Sequence, residues 1–170
     1  GGFPYKTCWG FDGLKTLLDV RLCMKVLHRV KIRGIVSPGD EDDFIDRVEG
    51  LVDEEDFSLD WERDEAEDFS GEELVFLRTS IEKTRRTNDV AEAFRSGLSE
   101  GDRELLVSQK NRLDDDLEFY VRLDLDAFLD DLFVLTESGD CVHFTLKIAA
   151  YPAKKDAAYN KVATWLDVNV

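Results

Sequence analysis

The sequence predicts a single α+β domain with a largely antiparallel sheet. Stretches in which apolar and polar residues alternate, as in half-buried strands, are interspersed with segments whose apolar residues recur at helical spacing. No internal repeat and no long linker divides the chain. Its 170 residues, 43% of them hydrophobic, are enough to bury one core and too few for two.

The first 23 residues lack this patterning. They open with two glycines and contain no clear periodicity and no capping signal. We therefore expect residues 1–23 to be an N-terminal extension, and residues 24–170 to form the domain. The alternative is a short helix over residues 14–22 that packs on the core.

The first strand is predicted directly after residue 24, where Val26, His28, Val30 and Ile32 alternate with mostly basic residues. A turn at residues 37–40 then leads into a helix over about 40–52. Alternating apolar residues predict a short strand over 56–64 and a longer one over 73–83.

Two helices and three strands are predicted in the second half. Asn88 and Asp89 are typical cap residues before one helix, and Leu105, Leu106 and Leu113 indicate another. Strands follow over 117–124, 132–136 and 141–150, and a closing helix is expected over 153–166. The predicted element order is βαββααβββα.

The charge is acidic and unevenly distributed. The net charge is −16, made up of +5 in residues 1–38 and −21 in the rest. Most of the surface should therefore repel a polyanion at long range, and adaptation to a salty cytosol is one explanation of the acidity. The chain has no run of about 18 apolar residues and no secretion signal, so we expect a soluble, cytoplasmic protein without membrane contact.

Basic residues follow single faces of three predicted strands. Lys25, Arg29, Lys31 and Arg33 share one face of the first strand. Arg122 shares a face of a later strand with Tyr120, and Lys147 shares a face of the last strand with His143. If these faces coincide, they form a positive surface that could bind an RNA backbone. The alternative is pairing with Glu73, Glu118 and Asp124 across the strands.

Asp124 and Asp126 are the strongest candidates for metal chemistry. On a strand they would point to the same face, and carboxylate oxygens suit Mg²⁺. An EF-hand is excluded because Leu135 occupies the twelfth position, where glutamate is required. We therefore predict an acidic turn, with no metal and no cofactor, and regard a divalent-metal phosphotransfer enzyme as the weaker hypothesis.

Three segments carry a resemblance to a known family. Residues 119–156 read FYVRLDLDAFLDDLFVLTESGDCVHFTLKIAAYPAKKD, residues 29–34 read RVKIRG, and residues 66–81 read AEDFSGEELVFLRTSI. Together they resemble the archaeal RNA-binding domain family known as predicted exosome subunits. The resemblance covers residues 24–166, and its most specific parts are the SGD turn and the AYPAKK segment.

The resemblance implies a fold similar to that of the fifth protein of the large ribosomal subunit. It also implies non-enzymatic RNA binding in RNA processing or ribosome assembly, with ribosomal or exosome-related proteins as further partners. On this view RNA would be contacted by a set of six residues. They are Arg29, Lys31, Arg33, Arg122 and Lys147 for the backbone and Tyr120 for stacking.

The chain departs from the family pattern at two places. Residues 70–74 retain only the glycine of a polar family motif, and Leu125 and Asp126 replace a lysine and a glutamine. Both departures remove polar or positive groups from positions that could meet RNA. An acidic protein–protein interaction module that has lost RNA binding is therefore the alternative prediction.

Overall fold

The computed structural model describes residues 25–169, so the predicted extension over residues 1–23 lies outside the described residues. The strands are β1 (Leu27–Val36), β2 (Glu62–Glu67), β3 (Glu73–Ile81), β4 (Glu118–Asp124) and β5 (Cys141–Ile148). The α-helices are α1 (Glu41–Glu49), α2 (Thr84–Gly97), α3 (Glu100–Ser108), α4 (Leu125–Leu129) and α5 (Lys155–Trp165).

The five strands form one sheet in the order β2-β3-β1-β5-β4. Every neighbouring pair is antiparallel, and β1 occupies the centre. Buried residues alternate with exposed or half-buried ones along β3, β4 and β5 and along most of β1, as a sheet with one covered face requires. The predicted α+β class with a mainly antiparallel sheet is confirmed.

The helices cover one face of the sheet, around an aromatic cluster centred on Phe94 of α2. The Phe94 ring centroid lies 4.9 Å from that of Phe144 in β5 and 5.0 Å from that of Phe133. Trp165 of α5 completes the cluster, and its indole N–H donates to the Ala91 carbonyl at 2.8 Å. These contacts tie α2 and α5 to the buried side of β5.

The element order differs from the prediction between β4 and β5. The strand predicted over 132–136 is wrong, since within this segment only Leu135 forms a β-bridge, to Leu123. Residues just before it form α4, because the Asp124 carboxylate accepts a hydrogen bond from the Ala127 N–H and caps the helix. Phe128 is fully buried on this turn. The observed order is βαββααβαβα.

The strand predicted over 56–64 is displaced. β2 begins only at Glu62, because the preceding segment bonds to α1 instead of the sheet. The Glu49 carboxylate accepts from the Leu59 N–H at 2.7 Å and from the Trp61 indole N–H at 3.2 Å. Tertiary hydrogen bonds thus override the alternating pattern that predicted a longer strand.

Two smaller predictions are also wrong. Asn88 does not cap a helix: α2 starts at Thr84, and the buried Asn88 side chain accepts from the Val26 N–H. Strict alternation in the predicted first strand would place Leu27, which lies between Val26 and His28, on the same face as Arg29, but a register irregularity separates the two and turns Leu27 into the core. The remaining helices and strands agree with the predicted positions to within a few residues.

Gly34 allows α1 to pack tightly on the centre of the sheet. A Cβ atom at this position would lie 2.6 Å from Cζ of Phe44 and 2.8 Å from its Cε2. Phe44 is fully buried and is in turn held against Trp61 and Phe128. The ring therefore has little room to move away from an added methyl group.

We predict that Gly34→Ala lowers the free energy of unfolding by about 1–3 kcal/mol, because overpacking forces side chains or backbone to shift. Gly39→Ala is the matched control, since a methyl group added there would have no atom within 4 Å. Urea denaturation of the two variants and the parent chain measures the difference. Equal midpoints for the two variants would contradict the close packing of α1.

Candidate functional site

The sheet surface opposite the helices, here called the outer face, is open to solvent. The structure places on it all the residues predicted to contact RNA, together with His143 and Thr145. An open groove of about 730 Å³ runs over this face. Its lining includes Lys31, Arg33, Arg78, Tyr120 and His143. The predicted faces of the three strands therefore coincide.

Strand register aligns four of the nitrogen-bearing side chains directly across the sheet. Arg33 is opposite Arg78 on one side and His143 on the other, and His143 is opposite Arg122. We call Arg78, Arg33, His143 and Arg122 the arginine row. Sequence reasoning missed Arg78, although its alternation with buried Leu77 and Thr79 on β3 was a usable signal.

Three cations of the outer face, on β1 and β4, are not neutralised by carboxylates. The side chains of Lys31, Arg33 and Arg122 form no hydrogen bond or ion pair with any other residue in the range 25–169. Arg78 at the β2 side of the row is weakly paired, at 3.5 Å to Glu62 and 3.6 Å to Asp64. Free cations thus extend from the central strand β1 to β4, and acidic residues lie toward the β2 edge.

The two basic residues at the other end of the strands are engaged. Arg29 pairs with Glu118 at 3.4 Å, which is the cross-strand alternative predicted from sequence. The Lys147 ammonium donates to the Asp116 backbone carbonyl. Both side chains are therefore less available to a ligand than Lys31, Arg33 and Arg122.

Tyr120 presents a fixed aromatic ring beside this cationic centre. Its side chain is 42% exposed, and its hydroxyl donates to Oδ2 of Asp114 at 2.7 Å. Backbone N–H groups of Asp116 and Glu118 hold the other oxygen of that carboxylate. The hydrogen bond to Asp114 raises the pKa of Tyr120 to about 12, so the phenol stays protonated near neutral pH.

The His143 imidazole lies between two arginines of the row, Arg33 and Arg122. Burial, Arg33 and Arg122 together lower the pKa of its imidazole below the ordinary value of 6.5. Its Nε2 also lies 3.2 Å from the Cys141 sulfur. The ring is therefore mainly neutral at pH 7, and an arriving anion would favour its protonated form.

The two aspartates considered for metal binding lie on different elements. Asp124 ends β4 and caps α4, whereas Asp126 lies within α4, so the prediction that both share one face of a strand is wrong. Across residues 25–169, no three His, Cys, Asp or Glu side chains cluster in a way that could hold a metal ion. None of the helices in this range is long and apolar enough to cross a membrane.

We predict that the double variant Arg33→Gln/Arg122→Gln raises the pKa of His143. Removing two cations removes repulsion that disfavours the imidazolium, while burial continues to hold the pKa down. NMR titration of the imidazole measures the change. His28 is an internal control, because burial, Lys25, Lys147 and Lys161 lower its pKa. An unchanged His143 pKa would contradict the close approach of Arg33 and Arg122 to the imidazole.

A protein-family model described as RNA binding matches residues 29–148, a range that contains nearly the whole sheet. Among curated proteins, the RNA-binding protein PAB1135 of Pyrococcus abyssi is 29% identical over 145 residues, covering 82% of this chain and 94% of the relative. The family model therefore spans the strands that form the outer face.

Solved structures agree on the fold. A DUF54 protein from Methanothermobacter thermautotrophicus has a TM-score of 0.67 at 24% identity, covering 83% of this chain and 98% of its own. A second DUF54 protein, from Archaeoglobus fulgidus, has a TM-score of 0.65 at 18% identity, covering 82% and 99%. Because the family model spans more than half of the sequence, the chain belongs to the RNA-binding family.

Proposed function

We propose that this protein binds RNA through its outer face, as a non-enzymatic module. The observation that carries the proposal is the arginine row, with Arg33 and Arg122 free of carboxylate partners within residues 25–169. Guanidinium groups bind phosphate through paired hydrogen bonds, so two free arginines suit successive backbone phosphates. Membership of the RNA-binding family and the name of the Pyrococcus relative support the same conclusion.

The overall charge supports binding through one face only. With a net charge of −16, most of the surface repels RNA at long range. The outer face concentrates cations at its centre, so RNA approaching over the acidic surface finds no comparable attraction. The acidic surface would then orient the RNA and limit non-specific binding, at the expense of the association rate.

The family departures lie outside the arginine row, at strand ends. Residues 70–74 span the end of the turn that joins β2 to β3 and the start of β3, whereas Leu125 and Asp126 begin α4 after the end of β4. Arg33, Arg78 and Arg122 lie within their strands, away from these departures. The loss of family residues at strand ends is therefore compatible with RNA binding at the row.

A cellular role in archaeal RNA processing or ribosome assembly is the finer part of the proposal. The resemblance of the sequence to predicted exosome subunits supports it, as does the resemblance to a ribosomal-protein fold. Exosome-related or ribosomal proteins would then be partners, and the cytoplasm the place of action. Identification of proteins and RNA crosslinked to the chain in its native cell tests this role.

We expect Arg33→Gln/Arg122→Gln to weaken RNA binding about tenfold or more at low salt, because each guanidinium loses charged hydrogen bonds to phosphate. The slope of log affinity against log salt should also fall in magnitude by about 1.4, or 0.7 per phosphate contact on a single strand. Fluorescence anisotropy with labelled RNA over a salt series measures both quantities.

The matched control is Lys83→Gln/Arg95→Gln, which removes the same charge at α2, on the other side of the sheet. The control should retain the parent affinity and salt slope. If both double variants weaken RNA affinity equally, the effect arises from net charge and the outer face is not the binding site. If the parent chain binds no RNA but binds a basic protein, the protein-interaction alternative replaces the proposal.

A further inference from the structure

Building on the proposed function, we infer that the outer face takes single-stranded RNA, with the backbone crossing the strands along the arginine row and a base stacked on Tyr120. The ligand class follows from three features of the face. They are the length of the arginine row, the position of the acidic residues around it, and the fixed, exposed ring of Tyr120.

The arginine row is short. It crosses four neighbouring strands, β3, β1, β5 and β4, and therefore three strand spacings, which amounts to about 14 Å. Double-stranded RNA is typically held by contacts spread over two minor grooves and the phosphates between them, about 16 base pairs in one common module. A row of this length instead matches a few successive phosphates of one strand.

Acidic residues border the row at both ends. On the β2 side, Glu62 is directly opposite Arg78, and its side chain is 77% exposed. On the β4 side, Glu137 is 76% exposed and pairs with Arg112, whose guanidinium also donates to the Tyr120 carbonyl. A duplex lying across the sheet would bring further phosphates over these carboxylates. One strand that ends or turns away at the edges avoids this repulsion.

Tyr120 supplies the surface on which a base can stack. It is two residues from Arg122 on the same face of β4, so the Cα atoms of the two residues lie about 7 Å apart along the strand. Thr145, directly opposite Tyr120, is small, and Lys31 lies beyond it on β1. The groove therefore has room beside the ring and a free ammonium for the same nucleotide.

The hydrogen bond to Asp114 restrains the Tyr120 ring before a base arrives. The hydroxyl hydrogen bond holds one end of the side chain and the strand holds the other, so little rotational freedom remains to be lost on binding. An unpaired base offers its flat surface to such a ring, whereas bases in a duplex are already stacked on each other. The exposed Tyr120 ring and the free cations beside it together therefore favour unpaired nucleotides over a duplex.

The test compares one labelled RNA of about 18 nucleotides, long enough for the roughly 16 base pairs that duplex recognition typically spans, as a single strand and after annealing to its complement. The parent chain, Tyr120→Leu and Tyr120→Phe are each titrated by fluorescence anisotropy at equal salt. We expect the parent to bind the single strand at least tenfold tighter than the duplex. Tyr120→Leu should lose roughly tenfold to a hundredfold in single-strand affinity, the range for one stacked base.

Tyr120→Phe is the matched control, because it keeps the ring and loses only the bond to Asp114; it should retain most of the affinity. Equal or tighter binding of the duplex would overturn the inference and leave RNA binding itself intact. An unchanged affinity in Tyr120→Leu, with its thermal melt unaltered, would overturn the stacking. Binding of neither RNA by the folded parent would overturn the proposed function, and the inference with it.

Discussion

The structure depends on one constraint, which is that the helices cover only one face of a five-stranded antiparallel sheet. Phe94, Phe144 and Trp165 join α2 and α5 to that face, and Gly34 lets Phe44 of α1 approach the central strand. Because successive side chains of a strand alternate between faces, every buried position fixes its neighbours on the solvent side. Core packing therefore determines which cationic side chains share the outer face, and strand register determines their order across it.

The two sheet edges are protected in different ways. Along β4, backbone groups of Glu118, Arg122 and Asp124 bond to flanking loop residues, and Arg112 donates to the Tyr120 carbonyl. β2 has all six side chains exposed, four of them acidic. Charged edge strands discourage pairing with a second sheet, so β2 protects against aggregation while its carboxylates limit the cationic surface. The same acidic residues thus serve solubility and define where an anion can bind.

Much of this arrangement could be predicted from the sequence. Alternation along the strands was enough to assign Lys31, Arg33, Tyr120 and Arg122 to outward positions, because the period of two depends only on local burial. The register that aligns Arg33 with Arg78 and His143 depends on long-range pairing, which local patterns do not encode. The α4 turn, the late start of β2 and the pairing of Arg29 with Glu118 likewise arise from tertiary contacts.

The central claim is that RNA binds the outer face and not the helices. Chemical-shift mapping of the backbone amides during titration with single-stranded RNA tests it most directly. The account predicts that the largest changes fall on β1, β5 and β4 around Arg33, His143 and Tyr120, with little change in α2 and α5. Large changes confined to the helices, with the outer-face amides unaffected, would contradict it.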